Sequence, residues 1–284
     1  MHFKNTGLFI FCLFILIGLT SCFHYRYSKK EITNFAIKNH IPSKMITYDT
    51  LGIEVTYYKF GYDSLPKILF LHGAPGSSKI FNRYALDTSL TNHCQLIFID
   101  RPGYGRSQFG KALCSIDSQA MVLEKVLTNE NNKIRFVGFG TSYGGPLISI
   151  MAARNPEKFN GLVLLSPALG PGMEKTPGIN KAIKSKWLGW IFPVIARVAS
   201  KEKYSHKSSL VKIEAEYAQV ECPITLIHGR NDWLVYPKTV EYACNKFIRA
   251  RMDTLTIPNQ THFLTWKFKP LIINKFFKYV PVNE

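Results

Sequence analysis

Phe136-Val137-Gly138-Phe139 runs into Gly140-Thr141-Ser142-Tyr143-Gly144, and then into the apolar segment Pro146-Leu147-Ile148. The central pentapeptide fits the pattern G-x-S-x-G. As an isolated string it recurs by chance, so its position carries the meaning. The β-rich run Ile134–Phe139 predicts a strand before it, and apolar spacing predicts a helix after it, through about Arg154. Glycines on both sides let the chain turn sharply and lift Ser142 above a sheet on a strained backbone. The helix N-terminus aims partial positive charge at the same spot. Gly145 adds room for close packing.

Outward from this turn the pattern alternates. Lys67–Leu71 (KILFL) is a continuous apolar strand ending in His72-Gly73. Gln95–Ile99 (QLIFI) ends in Asp100, Gly161–Leu165 (GLVLL) in Ser166-Pro167, and Ile224–His228 (ITLIH) in Gly229-Arg230-Asn231-Asp232. A last strand is predicted over 251–257. Helical periodicity covers 115–128 and 239–247, and a closing helix is expected from about Phe263. Near the start, Met45–Thr50 and Ile53–Phe60 flank Leu51-Gly52, a hairpin signal. Apolar strands alternating with helices imply an α/β fold, a mostly parallel sheet covered on both faces. Ligands in such sheets sit beyond the carboxyl ends of the strands, where all these loops lie. The alternation stops over 168–218, which reads as a helical lid inserted into the domain. That insertion carries nine cations, among them Lys184, Arg197 and Lys201, and the apolar run Trp187–Ala196. The simplest reading packs Trp187, Trp190, Ile191 and Phe192 onto the sheet domain and leaves the cations in water.

A serine hydroxyl is a poor nucleophile until a base takes its proton. Downstream of Ser142 the only aspartates are Asp232 and Asp253, and Asp253 falls inside a predicted strand. After Asp232 the only histidine is His262, in the loop after the last strand. Elimination therefore orders the candidates Ser142, Asp232, His262. Acyl chemistry also needs two donors for an oxyanion. The backbone N–H of Tyr143 is one candidate. The N–H of Ala74, in His72-Gly73-Ala74-Pro75-Gly76, is the other. His72 itself is read as holding that loop rather than as a catalytic base.

With these residues in place the chain resembles the α/β-hydrolase superfamily over about 45–280. The resemblance rests on His72-Gly73-Ala74-Pro75-Gly76, on Asp100-Arg101-Pro102-Gly103-Tyr104-Gly105-Arg106-Ser107, on the turn at Ser142, and on Asp232 and His262. It implies the α/β-hydrolase fold with a short helical lid between the sixth and seventh family strands. It also implies a serine hydrolase forming an acyl-enzyme on Ser142, with His262 as base and Asp232 orienting it, and with no cofactor or metal. Serine rather than aspartate at the turn argues against haloalkane dehalogenase or epoxide hydrolase chemistry. A carboxylesterase-like reaction on a small-molecule ester is the expected activity. The H-G-x-P-G loop also looks like that of prolyl aminopeptidases, whose lids are larger and acidic. A non-catalytic binding protein of the same fold is a further alternative, against which all three catalytic positions are filled. C–C bond hydrolysis also remains open.

The remainder bounds location and partners. The chain has 284 residues, 46% hydrophobic and 19% charged. This is ordinary globular composition and rules out a disordered or fibrous chain. A formal charge of +17 favours anionic surfaces. Lys4 followed by the twelve-residue apolar run Leu8–Leu19 reads as a secretory signal, since a membrane span needs about 20 residues. Leu19-Thr20-Ser21-Cys22 resembles a bacterial lipobox. The expected organisation is a lipoprotein signal at 1–21, a membrane-proximal tether at 22–44 beginning with lipidated Cys22, and a hydrolase domain at 45–284. An ordinary cleaved signal with an incidental cysteine is the alternative. Export to the cell envelope leaves no role for nucleic acid. Cys94, Cys114, Cys222 and Cys244 allow three pairings or none. They show no C-x-x-C spacing, so a metal site has little support.

Overall fold

The structure, a computed structural model, describes residues 25–130, 134–185 and 187–281. The signal segment 1–21 and Cys22 lie outside the described residues. Eight strands form one sheet: β1 (Ser43–Thr50), β2 (Ile53–Phe60), β3 (Lys67–Leu71), β4 (Gln95–Ile99), β5 (Phe136–Thr141), β6 (Phe159–Leu165), β7 (Ile224–Gly229) and β8 (Met252–Ile257). Their order is β1-β2-β4-β3-β5-β6-β7-β8. β1 and β2 form the expected hairpin, and β2 meets β4 antiparallel; every later pairing is parallel. The helices of eight or more residues are α1 (Lys29–Asn39), α2 (Ile116–Leu123), α3 (Gly144–Arg154), α4 (Val194–Ile213), α5 (Thr239–Lys246) and α6 (Lys269–Phe277).

The strand sequences explain the two-faced core. Successive side chains of a strand point to opposite faces. Leu69, Leu71, Ile97 and Ile99 therefore join the core under α2 and α3, while Ile68, Phe70, Leu96 and Phe98 join the core on the other face. On that second face Phe70 sits at 4.8 Å from Phe98, 5.2 Å from Phe139 and 5.5 Å from Phe276, ring centre to ring centre. Edge-on aromatic pairs of this kind contribute beyond their buried area.

The structure adds detail to four expectations. Within the expected membrane-proximal tether at 22–44, the described residues fold from Tyr27 onward. Ser28 caps α1 with a reciprocal box, its Oγ accepting from Glu31 N (3.1 Å) and its N–H donating to Glu31 Oε2 (2.6 Å). Tyr27 and Ile32 are buried against Tyr58 and Phe60, which fastens α1 to the sheet. The insertion 168–218 is helical, but Leu210, Ile213 and Tyr217 enter the α3-side core, so its C-terminal end belongs to the body. The closing helix begins at Lys269 with Pro270 in its first turn, not at Phe263; residues 261–264 are irregular and 265–268 form a turn. Trp187 and Trp190 do not pack onto the sheet domain but are 86% and 55% exposed. The four described cysteines are free thiols, with Cys94 and Cys222 buried in opposite cores. Among the described residues no helix is long and apolar enough to cross a membrane.

The lid is fastened through α4. Its residues Ile195, Val198, Glu202, His206, Ser209 and Ile213 are all buried, at the three- and four-residue spacing of one helix face. Glu202 is fully buried against fully buried Arg101 at 2.7 Å, and Tyr104 OH donates to it at 2.6 Å. Removing one partner of a buried pair strands the other charge. Glu202→Ala is expected to cost about 3–5 kcal/mol in urea unfolding, and the double variant Arg101→Met/Glu202→Met much less.

Candidate active site

β5 ends at Thr141 and α3 begins at Gly144, leaving Ser142 and Tyr143 as the whole connection. Ser142 has φ 50, a left-handed conformation that an L-residue adopts only under constraint. The constraint is visible: Ser142 N donates to Leu165 O (3.0 Å), and Ser142 O accepts from Gly145 N (3.0 Å) and Ala168 N (3.1 Å). The glycines are demanded by close approach. A Cβ on Gly144 would lie 2.2 Å from Leu71 O, and one on Gly140 2.5 Å from Gly144 O. Tyr143 N–H belongs to the first turn of α3, where backbone donors lack intrahelical partners.

The loop after β3 lies against this turn. A Cβ on Gly73 would stand 3.0 Å from Ser142 Cβ. Ala74 lines the same cavity as Ser142. His72 is fully buried; its Nε2 accepts from Arg101 N (3.1 Å), so its Nδ1 carries the proton and donates to Gly73 O (2.7 Å). Burial, with Arg101 beside it, holds this imidazole well below the ordinary histidine range. The arrangement suits a neutral strut. Arg101 completes the support, donating from Nε to His72 O (2.9 Å) and from Nη2 to Gly73 O (3.2 Å).

The segment 100–107 acts as a support for the site rather than as part of it. Asp100 accepts from Ser78 N, Tyr58 OH and Arg106 N, each at 2.9 Å. A Cβ on Gly105 would overlap the Asp100 carboxylate at 2.0 Å. The segment places no group in the cavity; it carries Arg101 to the loop at 72–74.

Asp232 and His262 come from the loops after β7 and β8. His262 Nδ1 lies 2.7 Å from Asp232 Oδ2, and Asp232 Oδ1 accepts from Leu234 N and Val235 N at 2.9 Å. His228, on β7, is a second imidazole on this carboxylate, with Nε2 at 3.3 Å from Oδ2. Burial opposes the charge on Asp232, but the hydrogen bonds from His228 and His262 outweigh it and hold the carboxyl well below its usual range. Asp253, by contrast, pairs with Lys275 and Lys278 away from the cavity.

Ser142 and His262 line one cavity of about 510 Å³, together with Ala74, Thr141 and Leu165 from the sheet domain. Its other walls are lid residues, including Ile179, Ile183, Ala196 and Ala199, and the rim residue Phe263. The lining is chiefly apolar, with one charged cluster. Glu174 Oε1 lies 2.5 Å from Lys203 Nζ and 2.6 Å from His206 Nδ1. His206 in turn stacks on Tyr143 at 4.8 Å. Glu174 also bridges to Val235, fastening the lid to the Asp232 loop. Glu174, Glu202, Lys203, His206 and His228 belong to no local motif. Only the helical spacing of 202 and 206 hinted that the two share a face. Among the described residues no group of His, Cys, Asp or Glu side chains is placed to hold a metal ion.

Comparison with known proteins accords with this geometry. A family model described as alpha/beta hydrolase fold matches residues 66–190. Lipase LipV of Mycobacterium tuberculosis is 30% identical over 120 residues, covering 41% of this chain and 43% of its own. Monoacylglycerol lipase abhd6-B of Xenopus laevis is 28% identical over 151 residues, covering 49% of this chain and 42% of its own. The chain thus spans less than half the length of these curated relatives. The solved structure of serine hydrolase CCSP0084 from Cycloclasticus zankles superposes with a TM-score of 0.66 at 18% identity, covering 84% of this chain and 98% of that one. The chain has the α/β-hydrolase fold, with an eight-stranded, mostly parallel sheet flanked by helices.

Two consequences are measurable. Gly144→Ala should lower unfolding stability by about 1–3 kcal/mol or more, because its methyl meets backbone rather than a yielding side chain. Asp232 has a folded pKa below its unfolded value. Its contribution is therefore present above about pH 4 and is lost as pH falls further. Asp232→Asn should lose less stability than the wild type between about pH 5 and pH 3 in acid unfolding.

Proposed function

We propose that this protein is a serine hydrolase that cleaves esters, in the manner of a carboxylesterase, through an acyl-enzyme on Ser142. The observation that carries this reading is the strained Ser142 sharing a cavity with a His262 that is hydrogen-bonded to Asp232. His262 Nδ1–H donates to Asp232, which leaves Nε2 free to take the Ser142 proton. Ser142 Oγ then attacks the acyl carbonyl. The N–H groups of Tyr143 and Ala74 receive the oxyanion. The imidazolium, stabilised by Asp232, returns its proton to the leaving alcohol, and water clears the acyl group by the same base.

An ester is favoured over a peptide with a free amino terminus by the state of the lid acid. Glu174 lines the cavity, but its carboxylate is already held by Lys203 and His206. No uncommitted acid among the described lining residues faces a substrate ammonium. The apolar lining suits an acyl chain. The names of the lipase relatives point the same way.

Location is a separate proposal resting on residues 1–22 alone: export to the cell envelope and lipid anchoring through Cys22. Cys22→Ser should shift the protein from the membrane to the soluble fraction; unchanged retention in fractionated cells would count against it.

The activity is tested with a fluorophosphonate probe and a short-chain ester. Wild-type protein should label and turn over. Ser142→Ala and His262→Ala should lose labelling and fall in kcat by on the order of 10⁴ or more, with unchanged circular dichroism. Undiminished turnover in Ser142→Ala would overturn the assignment.

A further inference from the structure

The chain has four tryptophans, and all are exposed by half or more: Trp187 86%, Trp190 55%, Trp233 50% and Trp266 52%. Trp233 and Trp266 stand beside the catalytic cavity, and Trp187 and Trp190 lie on the lid. Trp233 directly follows Asp232. Trp266 donates from Nε1 to the carbonyl of Ile80, which lines the catalytic cavity (2.8 Å). Trp187 and Trp190 follow Ile183, another lining residue. Phe263, on the rim, is 73% exposed. Large apolar side chains gathered at one end of a surface mark a contact site rather than the ordinary scatter.

Charge is sorted across the lid in the same sense. Its carboxylates are all committed: Glu174 to Lys203 and His206, Glu202 to Arg101, Glu214 to Lys246, and Glu216 to Arg154. Between α4 and the loop 109–114 lies a second cavity of about 690 Å³, whose lining includes Lys111, Lys184, Arg197 and Lys201. None of these four has a carboxylate partner among the described residues. The groove shares Ile183 with the catalytic cavity. Cations also stand over the exposed rings, with Lys175 5.6 Å from Trp233 and Arg83 5.2 Å from Trp266.

We propose that this face docks onto an anionic lipid surface. The unpaired cations of the groove meet the headgroups. The tryptophans and Phe263 enter the interfacial layer, the environment that indole rings favour because one edge is polar and the body apolar. A soluble polyanion would satisfy the cations and leave the apolar ring unexplained. The docking rests on this surface alone. Its consequence rests on the ester-hydrolase reading: the mouth of the catalytic cavity faces the bilayer, so an ester dissolved there reaches Ser142 without crossing water.

Because every tryptophan of the chain is exposed by half or more, intrinsic fluorescence reports their transfer out of water. Full-length protein is titrated with vesicles of phosphatidylcholine alone, and with vesicles of equal parts phosphatidylcholine and phosphatidylglycerol, both carrying brominated acyl chains. The apolar run 8–19 can enter either vesicle, so the quantity read is the ratio between the two. Anionic vesicles should produce a blue shift and bromine quenching at far lower lipid concentration. The variant Lys184→Glu/Arg197→Glu/Lys201→Glu alters no residue of the catalytic arrangement. It should keep the wild-type melting temperature and lose partition by on the order of 100-fold, at about five-fold per cation near the surface. Raised salt should weaken the wild type in the same direction, a reading that holds even if the variant misfolds. Equal partition into the two vesicles, or a wild-type ratio in the folded variant, would overturn the proposal. So would an identical blue shift with soluble dextran sulfate, which would make the face a polyanion site.

Discussion

The buried ion pair between Arg101 and Glu202 is the contact on which the catalytic end depends. Both side chains are fully buried, and a charge in that position survives only with every partner in place. Arg101 faces the Glu202 carboxylate, the Gln119 amide, and the carbonyls of His72 and Gly73. One guanidinium thus ties four separate pieces together: the loop carrying Ala74, the turn after β4, α2 and the lid helix α4. Burial works against its charge, but the Glu202 carboxylate more than compensates and raises its pKa. Arginine suits this post because its planar fork donates in several directions at once. A lysine could not span the same acceptors.

The pair also accounts for how the lid is built. Drawing Glu202 inward on one face of α4 leaves the opposite face with Arg197, Lys201 and Lys207 exposed. The same division of labour recurs at Glu174, whose carboxylate is turned toward Lys203 and His206. Acids hold the lid down, and bases without acid partners look outward. His206 links this arrangement to the candidate site by stacking on Tyr143, the residue after Ser142. A shift of α4 would therefore be felt on both sides of the Ser142 turn, through Arg101 at Gly73 and through His206 at Tyr143.

Much of the fold and the order of the site were legible along the chain, for local reasons. A run such as KILFL has no polar position to offer water, so it must be covered on both faces. A glycine–serine–glycine turn between strand and helix has few conformations open to it. Asp232 and His262 stood out because the downstream segment holds so few alternatives. Less legible were elements whose state depends on what they touch. The segment around Tyr27 reads as polar tether, yet Tyr27 and Ile32 find an apolar face on the sheet. Trp187 and Trp190 read as core, yet they stay more than half exposed. Apolar character says that a side chain gains from burial, not that packing buries it.

Local chemistry and spacing settled the strand order along the chain, the turn at Ser142, and the succession of serine, aspartate and histidine. These are properties of short segments, in which steric limits and burial act between near neighbours. Packing alone settled that Glu202 meets Arg101 across 101 positions of sequence, that His228 shares Asp232 with His262, and that Glu202 turns inward while Arg197, Lys201 and Trp187 stay exposed. Such contacts join side chains that no local pattern relates. Their energies exist only once the sheet has brought the strand ends together and excluded water from between them.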